Sequence, residues 1–172
     1  MKEKDIFMEE YHFKGKHAMM ARQLTNIFDE ETKAKVFETN IALFMHSAII
    51  GVDLNLTSKP EKSTDVTKIM IEAMINNNKE LVYTYRLVLL NAFKQDKSKA
   101  IQVAFKDYKN KEYFDLFESY MLGGLEYLHS LFFKKHKTKF QEYLIELKKI
   151  IIDYKDDDFE EDNVFLENII PF

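Results

Sequence analysis

Glycine and proline together fill only six of the 172 positions, four Gly and two Pro. A chain built from sheets turns roughly every 8–12 residues, usually on Gly, Pro, Asn or Asp. So few breakers favour long helices, and the spacing of the apolar residues agrees. Phe37, Ile41, Phe44 and Ala48 recur at i, i+4, i+7 and i+11, the stripe of a core-facing helix. The aromatic residues are fifteen Phe and nine Tyr with no Trp, so the expected core is rich in phenylalanine. Cysteine is absent, which excludes disulfides, thiolate nucleophiles and every cysteine-ligated zinc or iron–sulfur site. A chain of this length buries a core without such staples.

The spacing predicts an all-α, bundle-like single domain of six to seven helices over residues 1–155, followed by an acidic-hydrophobic tail at 156–172. Residues 1–15 read as a lead segment of one or two helical turns ending at Gly15. Helices are expected over 16–28, 30–50 (capped by Asp29, with Gly51 as its stop), 65–76 (capped by Ser63 or Thr64), 79–95, 97–108, 111–134 and 138–155. The clearest loop is 51–63, and Asn76-Asn77-Asn78 and Lys109-Asn110 read as breaks. No apolar run approaches the ~18 residues that span a bilayer. No export signal follows the charged start Met1-Lys2-Glu3-Lys4-Asp5, so a cytoplasmic protein with no membrane association is expected.

Net charge is −4, which argues against polyanion binding by the chain as a whole. Local basic clusters remain. Lys14 and Lys16 flank Gly15 ahead of a helix start, a place where backbone N–H groups can cradle an anion; the alternative is a solvated turn. Lys134, Lys135, Lys137 and Lys139 form a second cluster, and Lys94, Lys97, Lys99, Lys106, Lys109 and Lys111 a looser zone. Such clusters suit a nucleic-acid backbone, although neither contains arginine.

Only two arginines occur, Arg22 and Arg86. Arg86 stands inside an apolar run and is expected to be paired with Asp53, Glu72 or Glu126, to lie on a wet face, or to meet a ligand. Gly123-Gly124 interrupts a helix, which costs roughly 1–2 kcal/mol relative to alanine. Close helix packing is the first explanation, and approach of a partner the second. The segment Asp153–Phe172 carries eight acidic residues and one Lys among spaced large apolar side chains. Phe165 and Phe172 are its candidate anchors, either on a partner or on this same domain.

Two Glu-x-x-His pairs, Glu9/His12 and Glu126/His129, have the i, i+3 spacing of carboxylate-bridged metal sites, completed by Glu38, Glu72, Glu80 or Glu118. Their order along the chain does not match a four-helix site, so no metal and no cofactor is expected; Glu126 and His129 are the residues to watch. There is no Gly-x-Ser-x-Gly, no His-Glu-x-x-His and no Gly-rich nucleotide loop. This weighs against an enzyme without closing that reading, and no catalytic residue is assigned.

Several strings stand in order along the chain: Phe13-Lys14-Gly15-Lys16-His17-Ala18, Ile49-Ile50-Gly51-Val52-Asp53, Thr67-Lys68-Ile69-Met70, Tyr85-Arg86-Leu87-Val88-Leu89-Leu90, Ala104-Phe105-Lys106-Asp107 and Tyr120-Met121-Leu122-Gly123-Gly124-Leu125-Glu126. Their spacing, over about 13–130, resembles small helical accessory proteins encoded beside bacterial anti-phage defence and DNA-modification genes. The resemblance implies an accessory subunit of a defence or DNA-transaction complex and carries over no catalytic residue.

The resulting expectation is a non-enzymatic interaction subunit with protein partners in a larger assembly, touching nucleic acid directly or through a partner, with homo-oligomerisation open. Its interaction candidates are Arg86, Gly123, Gly124, Phe165 and Phe172. The alternatives are a small nucleic-acid-binding domain and a metal-dependent helical enzyme.

Overall fold

A computed structural model describes residues 6–133. The chain divides into two units, Met1–Ser130 and Leu131–Phe172, and the first holds the aromatic core. The expected helix over 138–155 and the tail lie outside the described residues.

In order, the elements are β1 (Tyr11–Lys14), α1 (Lys16–Thr25), β2 (Ile27–Asp29), β3 (Ala34–Lys35), α2 (Asn40–Asp53), β4 (Val66–Ile69), α3 (Ile71–Asn76), α4 (Asn78–Ala92), α5 (Lys97–Phe105) and α6 (Lys111–Phe133). The fold is mostly helical but not all-α, because two small antiparallel pairs accompany the helices. β1 runs against β4 with Tyr11 opposite Ile69 and Phe13 opposite Thr67. Within the expected helical lead segment, Tyr11–Lys14 is therefore a strand. Tyr11 and Phe13 are buried while Lys14 is exposed, a period of two that a helix cannot satisfy. β4 likewise replaces the first half of the helix expected over 65–76, and its Val66, Thr67 and Ile69 are β-branched.

The expected helix over 30–50 begins ten residues late in the sequence, at Asn40. Its cap is Thr39, whose side chain accepts from the Ala42 N–H at 3.2 Å. Phe37 of the apolar stripe lies before the helix, with its N–H on Leu24 O at 3.0 Å. The preceding stretch forms the β2–β3 hairpin, with Lys33 at φ 55°. α1 stops at Thr25, whose hydroxyl turns back onto Ala21 O at 2.9 Å. Further along, the expectations hold closely. Asn77 separates α3 from α4, Asp96 caps α5 by accepting from Lys99 N–H at 3.0 Å, and α6 follows the break at Asn110.

The core is aromatic. Phe7 meets Phe44, Tyr85 and Phe117 edge-on with centroids 5.8–6.2 Å apart, the geometry ring quadrupoles favour. Phe44 also packs on Tyr11 at 4.9 Å, and Tyr85 on Phe117 at 5.1 Å. Phe7 reaches this position with φ 63°, a left-handed backbone that its buried ring holds in place. Both polar ends of the cluster are satisfied: the Tyr85 hydroxyl donates to Tyr108 O at 2.8 Å and the Tyr11 hydroxyl to Glu118 Oε1 at 2.9 Å. Among the described residues, no helix is long and apolar enough to cross a membrane.

Candidate functional site

Two places gather polar and charged side chains in a defined geometry, one centred on Glu126 and the other on Arg86.

Gly15 sets up the first. Its φ of +59° lies in the left-handed region, and a Cβ there would collide with the Glu61 carboxylate. The turn at Gly15 starts α1, so Lys16 and His17 stand in its first turn. The Lys16 N–H donates to Glu61 Oε2 at 2.9 Å. The anion at this helix start is therefore the chain's own carboxylate. Lys16 Nζ turns the other way, to Glu126 Oε1 at 3.0 Å. His17 is fully buried and meets the same oxygen through Nε2 at 2.8 Å. Ser58, from the loop after α2, donates its hydroxyl to Glu126 Oε1 as well.

Three groups thus converge on one carboxylate oxygen. An ionised carboxylate only accepts, so the His17 proton belongs on Nε2. Burial pushes the Glu126 carboxyl up, but hydrogen bonds from Ser58, Lys16 and His17, with the Lys16 charge, outweigh it and hold it below its ordinary range. A carboxylate so held is a poor base. His17 Nε2 lies 3.4 Å from Ser58 Oγ but already bears a proton aimed at Glu126. Ser58 is therefore anchored rather than activated as a nucleophile. The cluster ties the start of α1, the 54–65 loop and α6 together.

The glycines complete this anchor. A Cβ at Gly124 would run into Ser47 O of α2, and one at Gly51 into Tyr120 O of α6. A Cβ at Gly123 would run into Leu56 O of the loop. Ser58 N–H donates to Ser119 O at 2.9 Å alongside. Gly51 is thus an interior helix residue at a crossing rather than a helix stop. Gly123 and Gly124 are explained by close backbone packing within the chain, the first of the two explanations. Of this group, Gly15, Lys16, Gly123, Gly124 and Glu126 stood out in the sequence. Ser58 did not, because nothing local marks a loop serine that meets a helix 68 positions later.

The Glu-x-x-His pairs are not brought together. Glu126 holds His17, while His129 Nε2 meets Gln23 Oε1 at 2.5 Å, and burial keeps the His129 imidazole below its ordinary range. His12 pairs with Glu10 at 3.1 Å, and Glu118 accepts from the Tyr11 hydroxyl at 2.9 Å. Among the described residues, no group of three His, Asp or Glu is placed to share a metal ion.

Arg22 forms a fork with Asp65, at 2.9 and 2.8 Å, and also reaches Thr67 Oγ1 at 3.0 Å. Arg86 differs. Of the alternatives open to it, an ion pair with Asp53, Glu72 or Glu126 is not formed; its guanidinium lies over the rings of Phe105 at 5.1 Å and Tyr108 at 5.0 Å. Its Nε is buried and has no hydrogen-bond partner among the described residues. Tyr83 and Leu87 on α4 and Ile101 and Phe105 on α5 are 65%, 39%, 55% and 51% exposed. Each pair is spaced i, i+4, so each shares one helix face. The Arg86–Phe105 stacking brings the two faces together. Lys94, Lys97, Lys99, Lys106 and Lys111 are exposed nearby in sequence, and Lys14 is exposed on β1. Lys134, Lys135, Lys137, Lys139, Phe165 and Phe172 lie outside the described residues.

No protein-family model, curated protein or solved structure matches this chain.

Proposed function

We propose that the chain is a helical interaction subunit that binds a protein partner through the α4–α5 face. One observation carries this reading: two packed helices leave Tyr83, Leu87, Ile101 and Phe105 open to solvent around a stacked arginine. Aromatic residues and arginine are the types that dominate binding energy at interfaces. The Glu126 carboxylate, by contrast, is already met by Lys16, His17 and Ser58 and supports an anchoring role, although His17 Nδ1 is buried without a hydrogen-bond partner among the described residues. The resemblance of the strings between 13 and 130 to accessory proteins of bacterial defence and DNA-modification loci supports placing the assembly among such systems.

Binding of nucleic acid by the same face is the second reading. Residues 78–110 favour it, with seven Lys or Arg against three Asp or Glu in a chain of net charge −4.

The test compares the parent chain with Tyr83→Ser/Phe105→Ser, at matched Tm, in affinity capture read by mass spectrometry. At least one protein should be recovered in stoichiometric amount with the parent and lost with the variant. Identical recovery with both chains would rule out the face.

A further inference from the structure

Resting on that interaction reading, we infer that Arg86 and the groove beside it bind an acidic peptide segment. Arg86 takes a carboxylate, and a neighbouring large apolar side chain of the partner settles on the exposed residues of α4 and α5.

The first argument is the state of Arg86. A guanidinium offers a planar fork of donors matched to a carboxylate. Arg22, the other arginine, has its carboxylate in Asp65. Arg86 has none among the described residues, and its guanidinium is held over the rings of Phe105 and Tyr108 instead. A side chain ordered in advance loses less freedom on binding. Its buried, unpartnered Nε adds a polar group whose surroundings are already partly desolvated.

The second argument is the groove. It measures about 450 Å³ and is lined by Asn78, Lys79, Val82, Tyr83, Arg86 and Tyr108, together with Ile6. Among the described residues it therefore holds two cations and no carboxylate. Tyr83 belongs both to the groove and to the exposed face, so an occupant of the groove continues onto Leu87, Ile101 and Phe105.

The third argument is charge. Residues 78–110 hold an excess of four positive charges, seven basic against three acidic, while the chain is net −4. Of the three acids, Asp96 is engaged as the α5 cap and Asp107 accepts from Gln102 at 3.0 Å. An acidic partner is steered toward this face. A nucleic acid would share the charge but would need open ring faces for its bases. Tyr83 offers one open ring, but Arg86 already covers one face of Phe105 and one of Tyr108, and Leu87 and Ile101 have no ring to offer, so the face suits an apolar side chain beside a carboxylate better than a run of stacked bases.

The experiment sorts a randomised displayed peptide library on the full chain and measures the enriched peptides by fluorescence polarisation. Peptides carrying Asp or Glu within about three residues of Phe, Leu or Ile should be enriched. Arg86→Gln should weaken them at least tenfold, Arg86→Lys less, and Lys79→Gln several-fold, with Tm matched to the parent. If Arg86→Gln does not fold, Lys79→Gln and Arg86→Lys carry the test. Enriched neutral peptides that need Tyr83 but ignore Arg86→Gln and Lys79→Gln would overturn the acidic site and leave the interaction face standing. Peptides bound equally by every variant, or no enrichment, would overturn both. A 20-nucleotide oligo(dT) bound more tightly than any peptide, and lost on Arg86→Gln, would overturn it in favour of nucleic acid.

Discussion

Glu126 and Arg86 are both presented by long helices, yet their surroundings are opposite. The Glu126 carboxylate receives Lys16, His17 and Ser58 on one oxygen, and the glycines beside it let backbones touch. The Arg86 guanidinium has two ring faces and no carboxylate among the described residues. The first region spends its polar groups on itself and joins three segments of the fold. The second holds a charge in place and leaves exposed apolar side chains around it. A carboxylate already met by three donors has little left to recognise a partner with, whereas an ordered charge without a counter-charge does.

The sharpest way to break this contrast is the glycine seam. Gly124→Leu should lower stability by about 3 kcal/mol, the upper range of overpacking, because the clash is with the Ser47 carbonyl rather than a movable side chain. Urea unfolding with an unchanged m-value measures it, and a loss within 0.5 kcal/mol would remove the seam from the account.

Next in size is Glu126→Gln, expected to cost about 1–2 kcal/mol by weakening hydrogen bonds to a charged acceptor, discounted because the site is partly open to solvent. The pH dependence follows from the lowered folded-state value. The carboxylate's contribution is fully present above its ordinary value of 4.5 and is lost as pH falls through the folded value below it. The gap between the parent and Glu126→Gln should therefore be constant near neutrality and close in acid. A gap that widened in acid would contradict the cluster.

Arg86→Gln should change stability by less than about 1 kcal/mol, since stacking on one exposed and one half-buried ring is weak. Its main effect belongs to binding. The smallest change is expected for Ile101→Ser, within about 0.5 kcal/mol, as for a surface position without a partner. A large loss of Tm in Ile101→Ser would show that the α4–α5 face packs inward.

The later helices were readable because each has its own local marks. Asp96 before α5, Asn110 before α6 and the Asn run before α4 interrupt the apolar period where the chain breaks. The first 70 residues misled because short strands compete with helices on weak local preferences. Tyr11 and Phe13 alternate over only four residues, and what selects a strand there is the pairing with Val66–Ile69, more than 50 positions away. Thr39 rather than Asp29 caps α2, because the stretch between them folds back as a hairpin.

By itself, the sequence determined a predominantly helical chain with a phenylalanine core: few breakers and a 3.6-residue apolar period leave little else for most of its length. It also singled out Arg86, Gly123, Gly124 and Glu126 as residues that need a reason. Only the tertiary structure decided what those reasons are. Ser58 reaches Glu126 across 68 positions, and Gly124 meets Ser47 across 77. Arg86 found aromatic rings rather than an acid because α5 packs its Phe105 against α4. Helical period is a local property of the chain, whereas partners for a charge or a glycine are chosen by which segments the fold brings into contact.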